Sequence, residues 1–111
     1  MVCVTRDTQM PIAQVNVADA ARVVGALESF DRWHAPWTFI QAVRAAAHLD
    51  AGDRVLLEQA WAAACHADHW MSARTLDAGA AAAEHAVSKR FAWLSPLACR
   101  QLARAASYAW R

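Results

Sequence analysis

Residues 95–110, SPLACRQLARAASYAW, decide the fold class. Ser95 followed by Pro96 is a helix start: a serine hydroxyl suits the N-cap, and proline's fixed φ and missing N–H cost nothing at the first helical position. Leu97, Ala98, Leu102, Ala105 and Ala109 then recur at helical spacing as a core-facing stripe. Arg100, Arg104, Ser107 and Arg111 recur along the opposite side. The spacing predicts an amphipathic helix over about 96–110, and the segments upstream read the same way.

Thr75 caps a helix at 76–90, with Asp77 in its first turn and Leu76, Ala80, Ala83 and Val87 as its stripe. Phe91, Trp93 and Leu94 form an apolar hinge between these two helices. Asp50 or Asp53 caps a helix expected at 53–73, whose dry face is Leu56, Leu57, Ala60, Ala64, Ala67 and Met71. Pro36 opens a helix at 36–49, with Phe39, Ile40, Val43, Ala46 and Ala47 facing one way. Asn16 caps a helix at 17–32 whose stripe is Ala20, Val23, Val24, Leu27 and Phe30. Gly25 weakens that helix and suggests a close approach there. Before it, residues 1–15 have no helical period and include Pro11, so they read as an extended or flexible arm. The expectation is an all-α domain at 16–111: a single compact bundle of four to five short helices with a non-helical N-terminal arm.

Composition supports this and excludes other classes. The 111 residues include 29 alanines and six tryptophans but three glycines and three prolines, and 58% are hydrophobic. So apolar and tryptophan-rich a chain is not intrinsically disordered, and so little Gly and Pro is not fibrous. No run free of Asp, Glu, Lys and Arg exceeds 11 residues, well short of the roughly 20 that span a bilayer. No membrane association and no secretory signal are expected. Cys3, Cys65 and Cys99 are odd in number and widely spaced, which suits reduced thiols in a cytoplasmic protein. The net charge of +1 hides an asymmetry: residues 1–85 carry all ten acids and six arginines, a balance of −4, whereas residues 86–111 carry five cations and no acid.

Three features bear on function. The first is Cys65-His66-Ala67-Asp68-His69, whose thiol and imidazoles are zinc ligand types; His85 on the next helix is a fourth candidate. On an unbroken helix, however, His69 sits on the wet side with Cys65 and His66 flanking it. A solvated face without cofactor is therefore expected, and zinc is the alternative. The second is the basic segment 89–111, which suits phosphates or an acidic surface, though cations near a helix C-terminus also complement its dipole. The third is the set Trp33, Trp37, Trp93, Arg100, Arg104, Tyr108, Trp110 and Arg111, rich in the residue types that dominate protein interfaces. No nucleophile elbow, phosphate loop or paired catalytic carboxylates occur, so no enzymatic activity is expected. The reading is a small stand-alone helical regulator, adaptor or inhibitor that contacts another protein or itself as a homodimer. Nucleic-acid binding through residues 89–111 is the alternative.

Overall fold

The computed structural model describes residues 17–46 and 48–110, with side chains from Ala20 onward. The expected arm at 1–15, the Asn16 cap, Ala47 and Arg111 lie outside the described residues. The fold is all-α. The helices are α1 (Val17–Ser29), a 3-10 turn (Pro36–Thr38) running into α2 (Phe39–Arg44), α3 (Ala51–Ala64), α4 (Ala67–Met71), α5 (Leu76–Arg90) and α6 (Pro96–Ala109). No strand occurs among the described residues.

The last helix is the centre of the molecule. Ser95 Oγ accepts from Ala98 N, as its cap position requires, and Pro96 sits at the start. Ala98, Cys99, Gln101, Leu102, Ala103, Ala105, Ala106 and Ser107 are all buried, so α6 is enclosed around most of its circumference. It packs most extensively on α5 and also touches α1, α3 and the 3-10 turn. Three placements differ from the periodicity. Leu97, placed on the core stripe by its spacing, is 42% exposed, and Ala109 is exposed too. Ser107, placed on the wet side, is buried and returns its hydroxyl to Arg104 O at 2.6 Å. A helix gripped by neighbours on several sides has no single dry stripe, so periodicity understates its burial.

Helix α1 ends three residues earlier than the periodicity implies, and α6 supplies the reason. The buried Gln101 Nε2 donates to Phe30 O at 3.0 Å and Leu27 O at 3.4 Å. A helix end needs partners for its last carbonyls, and a side chain from the central helix provides them. The chain then turns so that Phe30 enters the core. Gly25 is not a close-approach site: a Cβ built there meets nothing within 4 Å. Gly25→Ala is therefore expected to stabilise the protein by about 0.5–1 kcal/mol through helix propensity. Thermal melts read this as a rise of a few degrees, and an unchanged or lower midpoint would contradict the open space seen at this position.

The helix expected at 36–49 begins as the 3-10 turn and stops at Arg44. Arg54 Nε donates to Arg44 O at 3.3 Å, and the chain turns back so that Leu49 reaches the core. Asp50 then starts α3 with a capping box: Asp50 Oδ1 accepts from Asp53 N at 2.8 Å, and Asp53 Oδ2 accepts from Asp50 N at 3.0 Å. Asp53 also reaches across to α1, where Arg22 Nε donates to it at 2.7 Å. The middle of the core is Leu27, Phe39, Leu57, Val87, Phe91 and Leu102, all fully buried.

The helix expected at 53–73 is broken at Cys65-His66. His66 has extended backbone and caps α4, its Nδ1 accepting from Asp68 N at 3.2 Å. Ala67 and Met71, predicted on the dry face, are consequently exposed, while Trp70 is buried instead. The carbonyls at the break are taken by aromatic ring N–H groups. His69 Nε2 bonds Ala63 O at 2.9 Å, Trp70 Nε1 donates to Ala64 O at 3.0 Å, and Trp110 Nε1 donates to Cys65 O at 3.0 Å. A carbonyl only accepts, so His69 carries its hydrogen on Nε2. Ala63 O also accepts from His66 N at 3.3 Å, whereas the two tryptophan ring donors satisfy carbonyls that the break would otherwise leave unpaired, each worth about 1 kcal/mol net.

Candidate functional site

Residues 33–40 and 104–109, far apart in the chain, meet at one corner of the fold. Pro36 is buried and fixes the backbone, and Thr38 Oγ1 donates to Ala35 O at 2.7 Å. These two neighbours hold Trp37 outward, 74% exposed. On the other side of the corner, Ala105, Tyr108 and Ala109 of α6 lie at the spacing of one helical face. Between them is a cleft of about 180 Å³ lined by Pro36, Trp37, Phe39, Ile40, Trp61, Ala105, Tyr108 and Ala109. None of these residues carries a formal charge at neutral pH.

Aromatic packing makes the floor rigid. Phe30 meets Trp33 edge-on at 4.9 Å and Phe39 edge-on at 5.1 Å between ring centroids. Trp33 stacks with Phe39 at 5.9 Å, and Phe39 continues to Trp61 at 5.9 Å. Arg104 lays its guanidinium over Trp33, 4.1 Å from the ring centroid. Charges stay at the rim. Arg44, one turn beyond Ile40, donates to Glu58, one turn before Trp61, through Nε at 2.5 Å and Nη2 at 2.8 Å. This contact holds the Glu58 carboxyl below its ordinary range and raises the Arg44 guanidinium.

Of the residues singled out for partner contact, the fold brings Trp33, Trp37, Arg104 and Tyr108 to this corner. Arg100 is exposed one turn before Arg104 on the same helix. Trp93 is corrected: it lies in the core, 6% exposed, against Phe91 at 5.7 Å, and so is not a surface residue. Trp110 is half-buried and committed to the α3–α4 break through its bond to Cys65 O. Arg111 lies outside the described residues. Sequence reasoning missed Pro36, Phe39, Ile40, Trp61, Ala105 and Ala109 as cleft residues. The sequence pattern puts Ile40, Ala105 and Ala109 on dry faces, and the Ala105–Ala109 spacing is the available signal that a large neighbour fits against α6.

The Cys65, His66 and His69 group is arranged differently from the unbroken-helix picture. His66 Nδ1 is used in the α4 cap and His69 Nε2 in the bond to Ala63 O, with the two rings 5.9 Å apart. Burial pushes the Cys65 thiol up to about 11, so the thiolate that a metal or an electrophile needs is scarce at neutral pH. His85 lines a separate open cavity with Glu84, Ser88 and Cys99. Among the described residues, no three His, Cys, Asp or Glu side chains converge on a point where a cation would sit. The Cys99 thiol is also pushed up, first by burial and then by the Glu84 carboxylate. Also among the described residues, no helix is long and apolar enough to cross a membrane. Compared with family models, curated proteins and solved structures, the chain matches none of them.

Proposed function

We propose that this chain is a small binding protein that works by protein–protein contact, with the Trp37 corner as its docking surface. The observation that carries the reading is an indole 74% exposed at the edge of an uncharged cleft. Exposing a tryptophan to water is costly unless it serves a purpose, since burying an apolar side chain of this size is worth about 1.5–3 kcal/mol. Trp37 is also held on a short stiff turn, so little conformational entropy is lost when a partner covers it. Trp33, Arg104 and Tyr108 around it are the residue types that dominate binding energy elsewhere. The role is non-catalytic, that of a regulator, adaptor or inhibitor. A cytoplasmic setting fits the free thiols of Cys65 and Cys99.

The test is affinity capture from host extract with three baits: wild type, Trp37→Ala and Met71→Ala. Met71 is equally exposed but lies away from the cleft, on α4. One protein recovered by wild type and Met71→Ala and lost with Trp37→Ala is the expected result. Recovery of the same proteins by all three baits would sink the reading.

A further inference from the structure

We infer that the partner seated on the Trp37 corner is a second copy of this chain, each copy placing its Trp37 in the other's cleft. The inference rests on the binding reading above and names its occupant.

A twofold dimer uses one patch against itself, so every projection on that patch needs a matching recess on the same patch. This corner has both. Trp37 is the projection, and the cleft it borders is the recess. The cleft is about 180 Å³, and a cavity of roughly 150 Å³ already accepts a benzene ring, so there is room for the six-membered ring of an indole entering through the open side. The chemistry agrees as well, since an indole entering the cleft meets Ile40, Trp61, Ala105 and Tyr108.

Charge permits the same arrangement. No lining residue carries a formal charge at neutral pH, so bringing two identical patches together puts no like charges in the desolvated centre. Arg104 stands at the rim over Trp33, and the Arg44–Glu58 pair is exposed and self-neutralising. A polar rim around an apolar centre is the ordinary anatomy of a protein interface.

Area sets the strength. An aromatic side chain buries about 150–250 Å². Two exchanged indoles and the two clefts they cover therefore remove roughly 600–1,000 Å², below the roughly 1,200–2,000 Å² of a stable complex. The expected species is a weak dimer in exchange with monomer, forming in the micromolar range or above.

Sedimentation velocity on the full chain, from about 1 to 500 μM, tests this. Wild type should shift from monomer to dimer across that range. Trp37→Ala should weaken the dimer roughly 30-fold or more, the scale of a hot-spot loss. Ala109→Glu, at an exposed cleft position, should do the same by setting two carboxylates against each other. A photoreactive benzoylphenylalanine at position 37 should give a dimer-sized adduct, mapped to peptides carrying Trp61 or Tyr108. Wild type that stays monomeric throughout overturns the proposal, as does a dimer that both substitutions leave intact. If wild type is monomeric but still captures another protein in a Trp37-dependent way, self-pairing falls and the binding reading stands. If Trp37 affects neither measurement, both fall.

Discussion

Asp53→Ala is expected to lower the free energy of unfolding by about 2–4 kcal/mol, read as a drop in the urea midpoint. Asp53 is 3% exposed and has two jobs. Within α3 it completes the capping box, accepting from Asp50 N at 3.0 Å. Across to α1 it accepts from Arg22 Nε at 2.7 Å and Nη2 at 3.2 Å. Alanine removes both and leaves α1 held to α3 by packing and by the longer Arg22–Asp50 contact. Losing a cap costs about 0.5–2 kcal/mol, and removing one partner of a fully buried ion pair costs about 3–5 kcal/mol. The Arg22 side chain is nearly half exposed and keeps Asp50 at 3.4 Å, so it reaches water when Asp53 is gone. The ion-pair share is therefore well below its fully buried value, which brings the total to about 2–4 kcal/mol. Asp53→Asn retains an acceptor without the charge and should fall between the two proteins. A midpoint for Asp53→Ala within about 0.5 kcal/mol of wild type, the usual range of surface substitutions, would show that this tie is not structural.

The same pair sets a pH dependence. The hydrogen bond from Arg22 holds the Asp53 carboxyl below its ordinary range, overcoming the opposing effect of burial. A carboxyl whose folded pKa lies below its unfolded value, about 3.9, contributes stability that is complete above that value. The contribution disappears as pH falls through the folded pKa. Wild type should therefore lose stability below about pH 4, and Asp53→Asn should flatten that part of the curve. Glu58 shifts in the same direction through Arg44, but both of those groups are solvated, so added salt should remove their share first.

Much of this fold is written in local patterns. Ser95-Pro96, Thr75 and Asp50 all cap the helices expected of them, because a cap is a short-range geometric requirement that few residue types meet. The break at Cys65-His66 was not legible. Alanines continue on both sides of it, no Gly or Pro marks it, and the groups that stabilise it include Trp110, 45 residues away. The cleft was half legible. Trp33, Trp37, Arg104 and Tyr108 announce an interface by residue type, whereas Ile40, Ala105 and Ala109 look like any core positions until the two segments meet. Trp93 and Trp37 are both tryptophans beside a helix start, and only tertiary packing sends one inward and the other out.

Gly79→Ala is expected to destabilise the protein by up to about 2 kcal/mol, opposite in sign to the same substitution at Gly25. The local reading gives the wrong answer here, since alanine is favoured over glycine in a helix by about 1 kcal/mol. Gly79 lies on α5 where the Trp70 ring rests on its backbone. A Cβ added there falls 2.5 Å from Trp70 Cε3 and 2.9 Å from Cζ3. The ring cannot swing aside freely, because it is buried and its Nε1 is tied to Ala64 O at 3.0 Å. Overpacking of this kind costs about 1–3 kcal/mol, more than the propensity gain returns. Gly79→Val should cost more still. The cause can be isolated with a double-mutant cycle: if the clash with Trp70 is responsible, Gly79→Ala placed on Trp70→Ala should be neutral or stabilising. Chemical denaturation of the four proteins gives the coupling directly. A Gly79→Ala protein as stable as wild type, or a cycle whose two effects simply add, would refute the contact as the reason for glycine at this position.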